Sequence, residues 1–240
     1  IEKFFVDGLD GDYGRALLYA LQVKLMENDS KGKLEVKIDV DGDYVLPGWK
    51  GTESTSIVCP GTGFQIGGIG APVWLYDRNE DAVAFMRSTS LDVTIMGSKL
   101  YRPQIRPCGS SSVFVVHVDG KLHLKHLEVW YGRQIYHGGG GIQNRGGVVI
   151  LEDVIFGRNS AGHAGFGGAI HNRGSLIATL TTFQNNWGEE EGWSNKLEQG
   201  GAVYNSVQGD ASFSGCIFLD NYIASGGGAS SGGAIHNDGQ

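Results

Sequence analysis

The hexapeptide Gly167-Gly-Ala-Ile-His-Asn172 decides the fold of this chain, because close copies of it recur along the second half. The copies start 28, 33 and 32 residues apart, at Gly139-Gly-Gly-Ile-Gln-Asn144, Gly167-Gly-Ala-Ile-His-Asn172, Gly200-Gly-Ala-Val-Tyr-Asn205 and Gly232-Gly-Ala-Ile-His-Asn237. A second marker, Phe-x-x-Asn, lies between the copies in constant phase and starts at Phe156, Phe183 and Phe218. Two markers that keep the same phase indicate a repeat protein.

The segments between the markers have the pattern of short β-strands. Apolar residues alternate with polar ones, as at Leu122 and Leu124, and Gly, Asn, Asp and Ser interrupt each run after about 3–5 residues. A turn of ~28–33 residues with two or three such strands is the unit of a parallel β-helix, whose turns stack at ~4.8 Å. The sequence therefore predicts an all-β fold, a single-stranded right-handed parallel β-helix (solenoid), over residues 51–240.

Stacked turns place equivalent residues in columns along the axis. Three columns are predicted, the first aliphatic and facing inward, the second aromatic, and the third of corner asparagines that tolerate left-handed backbone and hydrogen-bond to the next turn. Their members are Ile142, Ile170, Val203 and Ile235; Trp130, Phe156, Phe183 and Phe218; and Asn144, Asn172, Asn205 and Asn237. Trp130 joins the aromatic column because Val113–Val118 aligns with the hexapeptide without its glycines.

The first half is predicted to cap the solenoid. Residues 13–26 have helical spacing of Tyr13, Leu17 and Leu21, and an alternating strand, Leu34–Val40, follows. We expect residues 1–50 to form an N-terminal cap, with the capping α-helix covering the open end of residues 51–240. The chain stops shortly after the last hexapeptide, so we expect a solenoid truncated at its C-terminal end, whose open turn stacks on further chain or on a neighbour.

The paired Gly-Gly-Ala-Ile and Phe-x-x-Asn markers resemble the repeat of chlamydial polymorphic outer membrane proteins, over roughly residues 113–237. The helix and strand of residues 13–46 resemble the N-terminal cap of pectate-lyase-like proteins. The resemblance implies an extracellular or cell-surface solenoid, often adhesive. It transfers no catalytic residue, because the matched positions are structural.

Composition excludes several classes of protein. The 240 residues include 40 glycines, and 19 Lys and Arg against 26 Asp and Glu leave a net charge of −7. This balance argues against nucleic acid as a partner, and no apolar run is long enough for a membrane-spanning helix. Of the three cysteines, Cys59 and Cys108 are candidates for a disulfide, whereas Cys216 is predicted to be a buried small hydrophobe.

The fifth hexapeptide position is the first candidate binding surface. Alternation places it opposite the inward aliphatic column, so we expect an outward row of side chains at His117, Gln143, His171, Tyr204 and His236. Such a row can hydrogen-bond or stack along a linear glycan, although a solvated polar face has the same pattern. The row does not have the spacing of a metal site.

The segments before each hexapeptide are the second candidate, because all of them are expected to emerge as loops at one corner. They are residues 132–138, 160–166, 187–199 and 222–231. The longest carries Trp187, Glu189, Glu190, Glu191 and Trp193, residue types that suit sugar stacking, protein docking or Ca²⁺, or simply an acidic solubilising loop. No motif supports Ca²⁺, and no cofactor is predicted.

Three functions remain open at this stage. The leading hypothesis is a non-catalytic surface scaffold that mediates adhesion or assembly with protein or glycan partners. The alternative is an enzyme, most plausibly a polysaccharide lyase, with Tyr204, His171 and Arg145 as candidates for base and charge neutralisation. The third is a structural subunit of a complex or filament that joins through its open C-terminal turn.

Overall fold

The structure is a computed structural model of the chain. It describes residues 2–5, 30–37, 43–46, 64–66, 73–76, 82–85, 88–97, 99, 102–107, 112–134, 138–162, 166–189, 198–224 and 230–240. Every regular element in these ranges is a β-strand. The predicted helix 13–26, the cap boundary at residue 50, Cys59 and Cys108 lie outside the described residues.

The strands are short and follow one another at regular intervals. The first twelve are β1 (Glu2–Phe5), β2 (Ser30–Lys37), β3 (Asp43–Leu46), β4 (Phe64–Ile66), β5 (Val73–Tyr76), β6 (Ala82–Phe85), β7 (Ser88–Met96), β8 (Gln104–Pro107), β9 (Phe114–His117), β10 (Gly120–Lys125), β11 (Glu128–Trp130) and β12 (Arg133–Gln134). The next eight are β13 (Ile142–Arg145), β14 (Val148–Glu152), β15 (Ile155–Gly157), β16 (Ser160–Ala161), β17 (Ile170–Asn172), β18 (Ser175–Thr179), β19 (Thr182–Gln184) and β20 (Trp187–Glu189). The last seven are β21 (Glu198–Gln199), β22 (Val203–Asn205), β23 (Asp210–Ser214), β24 (Ile217–Leu219), β25 (Tyr222–Ala224), β26 (Ser230–Ser231) and β27 (Ile235–Asn237).

These strands form four walls of parallel strands. The first wall has the order β1-β2-β7-β10-β14-β18-β23, the second β3-β8-β11-β15-β19-β24, the third β12-β16-β20-β25 and the fourth β4-β9-β13-β17-β22-β27. β21 pairs with β26 in parallel beside the third wall, and β5 and β6 form an antiparallel pair. The predicted parallel β-solenoid is therefore confirmed, with about four turns.

Each complete turn visits the walls in the same sequence. From β13 in the fourth wall the chain passes through β14, β15 and β16 before it reaches β17, one turn further on. The third wall lies in the segments that the sequence analysis treated as loops. Its strands have only two or three residues each, too few for alternation to distinguish them from a loop.

The interior is built from the predicted columns. Ile142 pairs in register with Ile170, and Ile170 with Val203, and all three side chains are fully buried. On the second wall the ring of Phe183 stacks between Phe156 and Phe218, with centroid separations of 5.3 and 4.8 Å. Such ladders bury large apolar areas in every turn, which is the main driving force for stacking the turns.

Trp130 does not belong to the aromatic column, which corrects the sequence prediction. Phe156 pairs with Val129, and Trp130 pairs with Gly157 on the outward side of the strand. A Cβ on Gly157 would lie 2.6 Å from the indole ring, so the glycine makes room for Trp130. The indole Nε1 donates to Glu128 Oε2 at 2.8 Å, which satisfies its polar atom at the surface.

The predicted asparagine column lies at the corner between the fourth and first walls. Its side chains hydrogen-bond to one another from turn to turn, as predicted, but none of the four adopts left-handed backbone. Positive φ occurs at other residues instead, at Asp119 and Gly146 at this corner and, for example, at Asp153 after the first wall and Arg158 after the second. The asparagines are therefore selected for their side-chain amides rather than for backbone conformation.

The two glycines that open each hexapeptide have different roles. The first adopts positive φ, which glycine tolerates without strain, at Gly139, Gly167, Gly200 and Gly232. In the first three copies the second lies against neighbouring backbone, as at Gly168, where a Cβ would be 2.4 Å from the carbonyl oxygen of Gly201. The described residues contain no helix long and apolar enough to cross a membrane.

Candidate functional site

The outer column consists of Gln143, His171, Tyr204 and His236, which pair in register along the fourth wall. This confirms that the fifth hexapeptide positions align. His117 is not a member, however, because it pairs with Arg145, and Val115 takes the position beside Gln143. The alignment of residues 113–118 was therefore wrong by two residues, since no Gly-Gly pair marks the register there.

The outer column is less exposed than alternation predicts. Gln143 and His171 are only 5% and 2% exposed, and Tyr204 and His236 are half-buried. Phe166 covers part of this surface, with its ring centroid 5.8 Å from that of His171 and 4.8 Å from that of Tyr204. The alternative interpretation of this row, a solvated polar face, therefore does not hold at Gln143 and His171.

Two arginines flank the buried half of the outer column. Arg145 and Arg173 each follow an outer-column residue by two positions, so alternation brings them to the same side of the wall. Arg145 Nε donates to Gln143 Oε1 at 2.8 Å, and Arg173 Nε donates to His171 Nε2 at 3.2 Å. Both guanidinium groups are anchored through Nε. Among the described residues neither has a carboxylate partner.

The arginine groove is the surface depression that these residues enclose. It has a volume of about 360 Å³ and is lined by Gln143, Asn144, Arg145, His171 and Arg173. Arg145 and Arg173 carry a permanent positive charge, and their terminal guanidinium nitrogens are hydrogen-bond donors. The groove therefore has the chemistry of a site for an anion.

The charges around the groove act on one another. Partial burial and the charge of Arg173 lower the pKa of the Arg145 guanidinium. Partial burial and the charge of Arg145 lower the pKa of His117, which lies one turn earlier. Both shifts have the direction expected for partly buried cationic groups that lie close to a like charge.

The charge changes sign at the other end of the outer column. Tyr204 Oη donates to Asp238 Oδ2 at 3.0 Å, and His236 Nε2 lies 3.0 Å from Asp238 Oδ1. Burial and the contact with Asp238 raise the pKa of Tyr204, whereas the hydrogen bonds from His236 and Tyr204 lower the pKa of Asp238. The position two residues after the outer column thus runs from arginine in the early turns to aspartate in the last.

The third wall carries two more of the predicted binding residues, Trp187 and Glu189. Trp187 begins β20, where it pairs with Ser160 and Tyr222, so it belongs to a strand and not to a loop. Its ring stacks on that of Tyr222 with a centroid separation of 6.1 Å and an interplanar angle of 7°. Glu189 ends β20, while Glu190, Glu191 and Trp193 lie outside the described residues.

Cys216 was predicted to be buried, but it is half-buried and packs against the core from the last described turn. Its Sγ donates to the carbonyl oxygen of Ala178 at 3.3 Å.

Sequence analysis identified Arg145 and missed Arg173. The signal was available, because an Asn-Arg pair follows the outer-column residue in two successive repeats, at Asn144 and at Asn172. A single arginine in one repeat is typical of a solvated surface side chain. Two at the same phase predict a column of charge.

Comparison of the chain with protein-family models, with curated proteins and with solved structures finds no match.

Proposed function

We propose that this chain is a solenoid scaffold whose arginine groove binds an acidic polymer, most simply a glycan that carries carboxylate groups. The observation that carries the proposal is the pair of guanidiniums, Arg145 and Arg173, which face one depression with no described carboxylate between them. Each is held by its Nε, so its terminal nitrogens can form the paired hydrogen bonds with which arginine recognises carboxylates.

The solenoid geometry supports a polymeric ligand. Equivalent residues recur once per turn at ~4.8 Å, so the two guanidiniums can contact successive charged groups of one chain. The outer column continues beyond the groove to Tyr204 and His236, whose rings stack with a centroid separation of 5.6 Å. An extended ligand that follows the column would therefore meet charged groups first and aromatic surface afterwards.

The net charge of −7 does not exclude this ligand. Exposed charges are screened over ~8 Å at physiological ionic strength, so the nearest side chains dominate the potential in the groove. Two arginines occupy that range, with His117 one turn away. A bridging Ca²⁺ is therefore unnecessary at this position.

A polysaccharide lyase is the second candidate, because Arg145, His171 and Tyr204 belong to adjacent turns of the same wall. Two observations favour binding over turnover. Tyr204 Oη donates a hydrogen bond to Asp238 and its pKa is raised, so the phenolate that would act as the base is disfavoured. His171 is buried, and its Nε2 accepts a hydrogen bond from Arg173 rather than facing a substrate.

The proposed setting is the cell surface or extracellular space. The Gly-Gly-Ala-Ile and Phe-x-x-Asn markers support it through their resemblance to the polymorphic outer membrane protein repeat, and a right-handed solenoid with a pectate-lyase-like cap belongs to the same proposal. Adhesion to an acidic glycan fits such a setting. Assembly through the last turn is the remaining alternative.

Binding of polygalacturonate, measured by titration calorimetry against neutral dextran, tests the proposal. We expect binding of the acidic polymer alone, and at least about tenfold weaker binding for Arg145→Gln combined with Arg173→Gln, which is ~1.4 kcal/mol. Arg158→Gln, an exposed arginine at another corner, is the matched control.

Undiminished binding by the double variant would contradict the arginine groove as the site. Ultraviolet absorbance from unsaturated sugar ends, measured on the same samples, separates the two candidates. Product that is lost in both His171→Gln and Tyr204→Phe would establish the lyase instead of the binding scaffold.

A further inference from the structure

A chain of hydrogen bonds joins three side chains in the last described turn. Ser231 Oγ lies 2.9 Å from His236 Nδ1, and His236 Nε2 lies 3.0 Å from Asp238 Oδ1. A carboxylate only accepts hydrogen bonds, so Asp238 selects the tautomer with hydrogen on Nε2. In that tautomer Nδ1 accepts the hydrogen bond from the Ser231 hydroxyl.

The repeat does not account for these residue types. Ser231 pairs with Gln199 and His236 with Tyr204, while Asp238 occupies the position of Ser206. The turn before that of Gln199 and Tyr204 carries Phe166, His171 and Arg173 at the equivalent positions. All of these residues fold into equivalent turns, so the solenoid does not require a hydroxyl, an imidazole and a carboxylate there.

We infer that Ser231, His236 and Asp238 form a nucleophilic site that hydrolyses small acyl esters. The order of the groups is that of a serine hydrolase, in which a base activates the hydroxyl and a carboxylate orients the base. The inference does not depend on anion binding in the arginine groove, although each of the two sites includes residues of the outer column.

The exposure of the three groups determines the class of substrate. Ser231 is exposed, and the side chains of His236 and Asp238 are 18% and 37% exposed. No described atom would lie within 4 Å of a Cβ on Gly233, two residues after Ser231. Within the described residues the Ser231 hydroxyl is therefore accessible to a small acyl ester.

The proposed reaction has two balanced steps. The Ser231 hydroxyl proton moves to His236 Nδ1 as Oγ attacks the ester carbonyl carbon, and the alcohol leaves with that proton, so that an acyl-serine remains. Water then attacks the acyl-serine, His236 takes its proton and returns it to Oγ, and the carboxylic acid is released. The amides of Gly232 and Gly233, which have no acceptor among the described residues, are the candidate donors to the oxyanion.

Asp238 is a positioning residue in this scheme. Tyr204 Oη donates to its second oxygen, Oδ2, at 3.0 Å, so both carboxylate oxygens are held. The contact restricts rotation of the carboxylate and keeps Oδ1 toward the imidazole.

Hydrolysis of p-nitrophenyl acetate by the intact chain tests the inference. We expect turnover together with an acetyl adduct on Ser231, located by peptide mass spectrometry. Ser231→Ala should abolish the adduct and lower the rate at least about 100-fold, whereas Ser212→Ala, another exposed serine, should change neither. Asp238→Asn should lower kcat with little change in KM, and Asp238→Glu should restore part of it.

Free imidazole also cleaves this ester, so the dependence on Ser231 is the diagnostic result. A rate that is unchanged in Ser231→Ala, or an adduct located on another residue, would overturn the inference. The Ser231→Ala change lies at an exposed position, and an unchanged circular-dichroism melt verifies that the variant is folded. Polygalacturonate binding is measured separately, so either proposal can fail alone.

Discussion

Asn144 donates a hydrogen bond through Nδ2 to Oδ1 of Asn172, one turn further along the solenoid, at 2.7 Å. The same bond, at the same distance, joins Asn172 to Asn205 and Asn205 to Asn237. The amides of Asn144, Asn172 and Asn205 also donate to backbone carbonyl oxygens at their corner, and these three side chains are buried, so they connect the turns through groups that water does not reach. Buried amides in a continuous chain are costly to interrupt.

Replacement of Asn172 by alanine should destabilise the fold by at least about 2 kcal/mol, because it removes several hydrogen bonds and leaves buried partners unsatisfied. Urea unfolding followed by circular dichroism measures the change. Gln208→Ala, at an exposed turn, is the control and should lie within about 0.5 kcal/mol of wild type. Equal stabilities for the two variants would show that the column is dispensable.

The second glycine of the hexapeptide offers a comparison between equivalent positions. A Cβ at Gly168 would lie 2.4 Å from Gly201 O and 2.5 Å from Trp187 O, both backbone atoms, whereas one at Gly233 would meet nothing within 4 Å. Gly168→Ala should therefore cost at least about 2 kcal/mol in the free energy of unfolding, by overpacking.

Gly233→Ala should be almost neutral, within about 0.5 kcal/mol. Thermal melts of the two variants provide the measurement. If Gly233→Ala were as damaging as Gly168→Ala, another part of the chain would have to cover the last described turn.

Asp153 makes the stability of the solenoid depend on pH. Partial burial opposes its ionisation, but hydrogen bonds from Arg102 and His126 outweigh burial and lower the pKa of Asp153. A pKa below the unfolded value of ~3.9 means that the ionised carboxylate stabilises the fold above that pH. This contribution is lost as the pH falls through the lower, folded pKa.

The difference in unfolding free energy between wild type and Asp153→Asn should be constant above about pH 5 and shrink toward about pH 2. Asparagine retains the left-handed backbone at this position, which isolates the effect of charge. Chemical unfolding at several pH values measures the difference, with Asp210→Asn as the exposed control. A difference that does not change with pH would refute the assignment.

The arginine groove should bind polygalacturonate less tightly as salt is added, because ions screen the attraction between guanidinium and carboxylate. We expect Arg173→Gln to weaken binding and to make the affinity less sensitive to NaCl, with the same direction for Arg145→Gln. Titrations between about 20 and 300 mM NaCl, across which the Debye length falls severalfold, measure the sensitivity. Identical salt dependence in Arg173→Gln and wild type would remove Arg173 from the site.

The columns of the fold were predictable because the markers keep their phase. Ile142, Ile170 and Val203 share a position in the repeat. Residues at the same position in the repeat lie on the same wall of a solenoid, and their side chains point in the same direction in every turn. Before the first hexapeptide, where the two markers are absent, the predicted register of the residues was wrong. His117 and Trp130 were placed in the wrong columns, since a short apolar run such as Val113–Val118 fits several registers equally well.

The candidate site was predictable only in part. The outer column follows from alternation, but alternation cannot tell that Phe166 lies over His171 and Tyr204. The packing of Phe166 on the fourth wall depends on contacts with residues of other turns, and the alternation within a strand does not indicate such contacts.

The repeat alone was sufficient to predict a parallel all-β solenoid and the identity of its inward residues. When the turns of a solenoid stack, residues that recur at a fixed interval in the sequence lie in a column along its axis. The shared phase of Arg145 and Arg173 was also present in the repeat, whereas the third wall and the link from Ser231 through His236 to Asp238 required coordinates. Strands of two or three residues leave no alternation in the sequence, and the hydrogen bonds that join Ser231, His236 and Asp238 depend on the directions of their side chains in the last described turn, which the residue spacing does not specify.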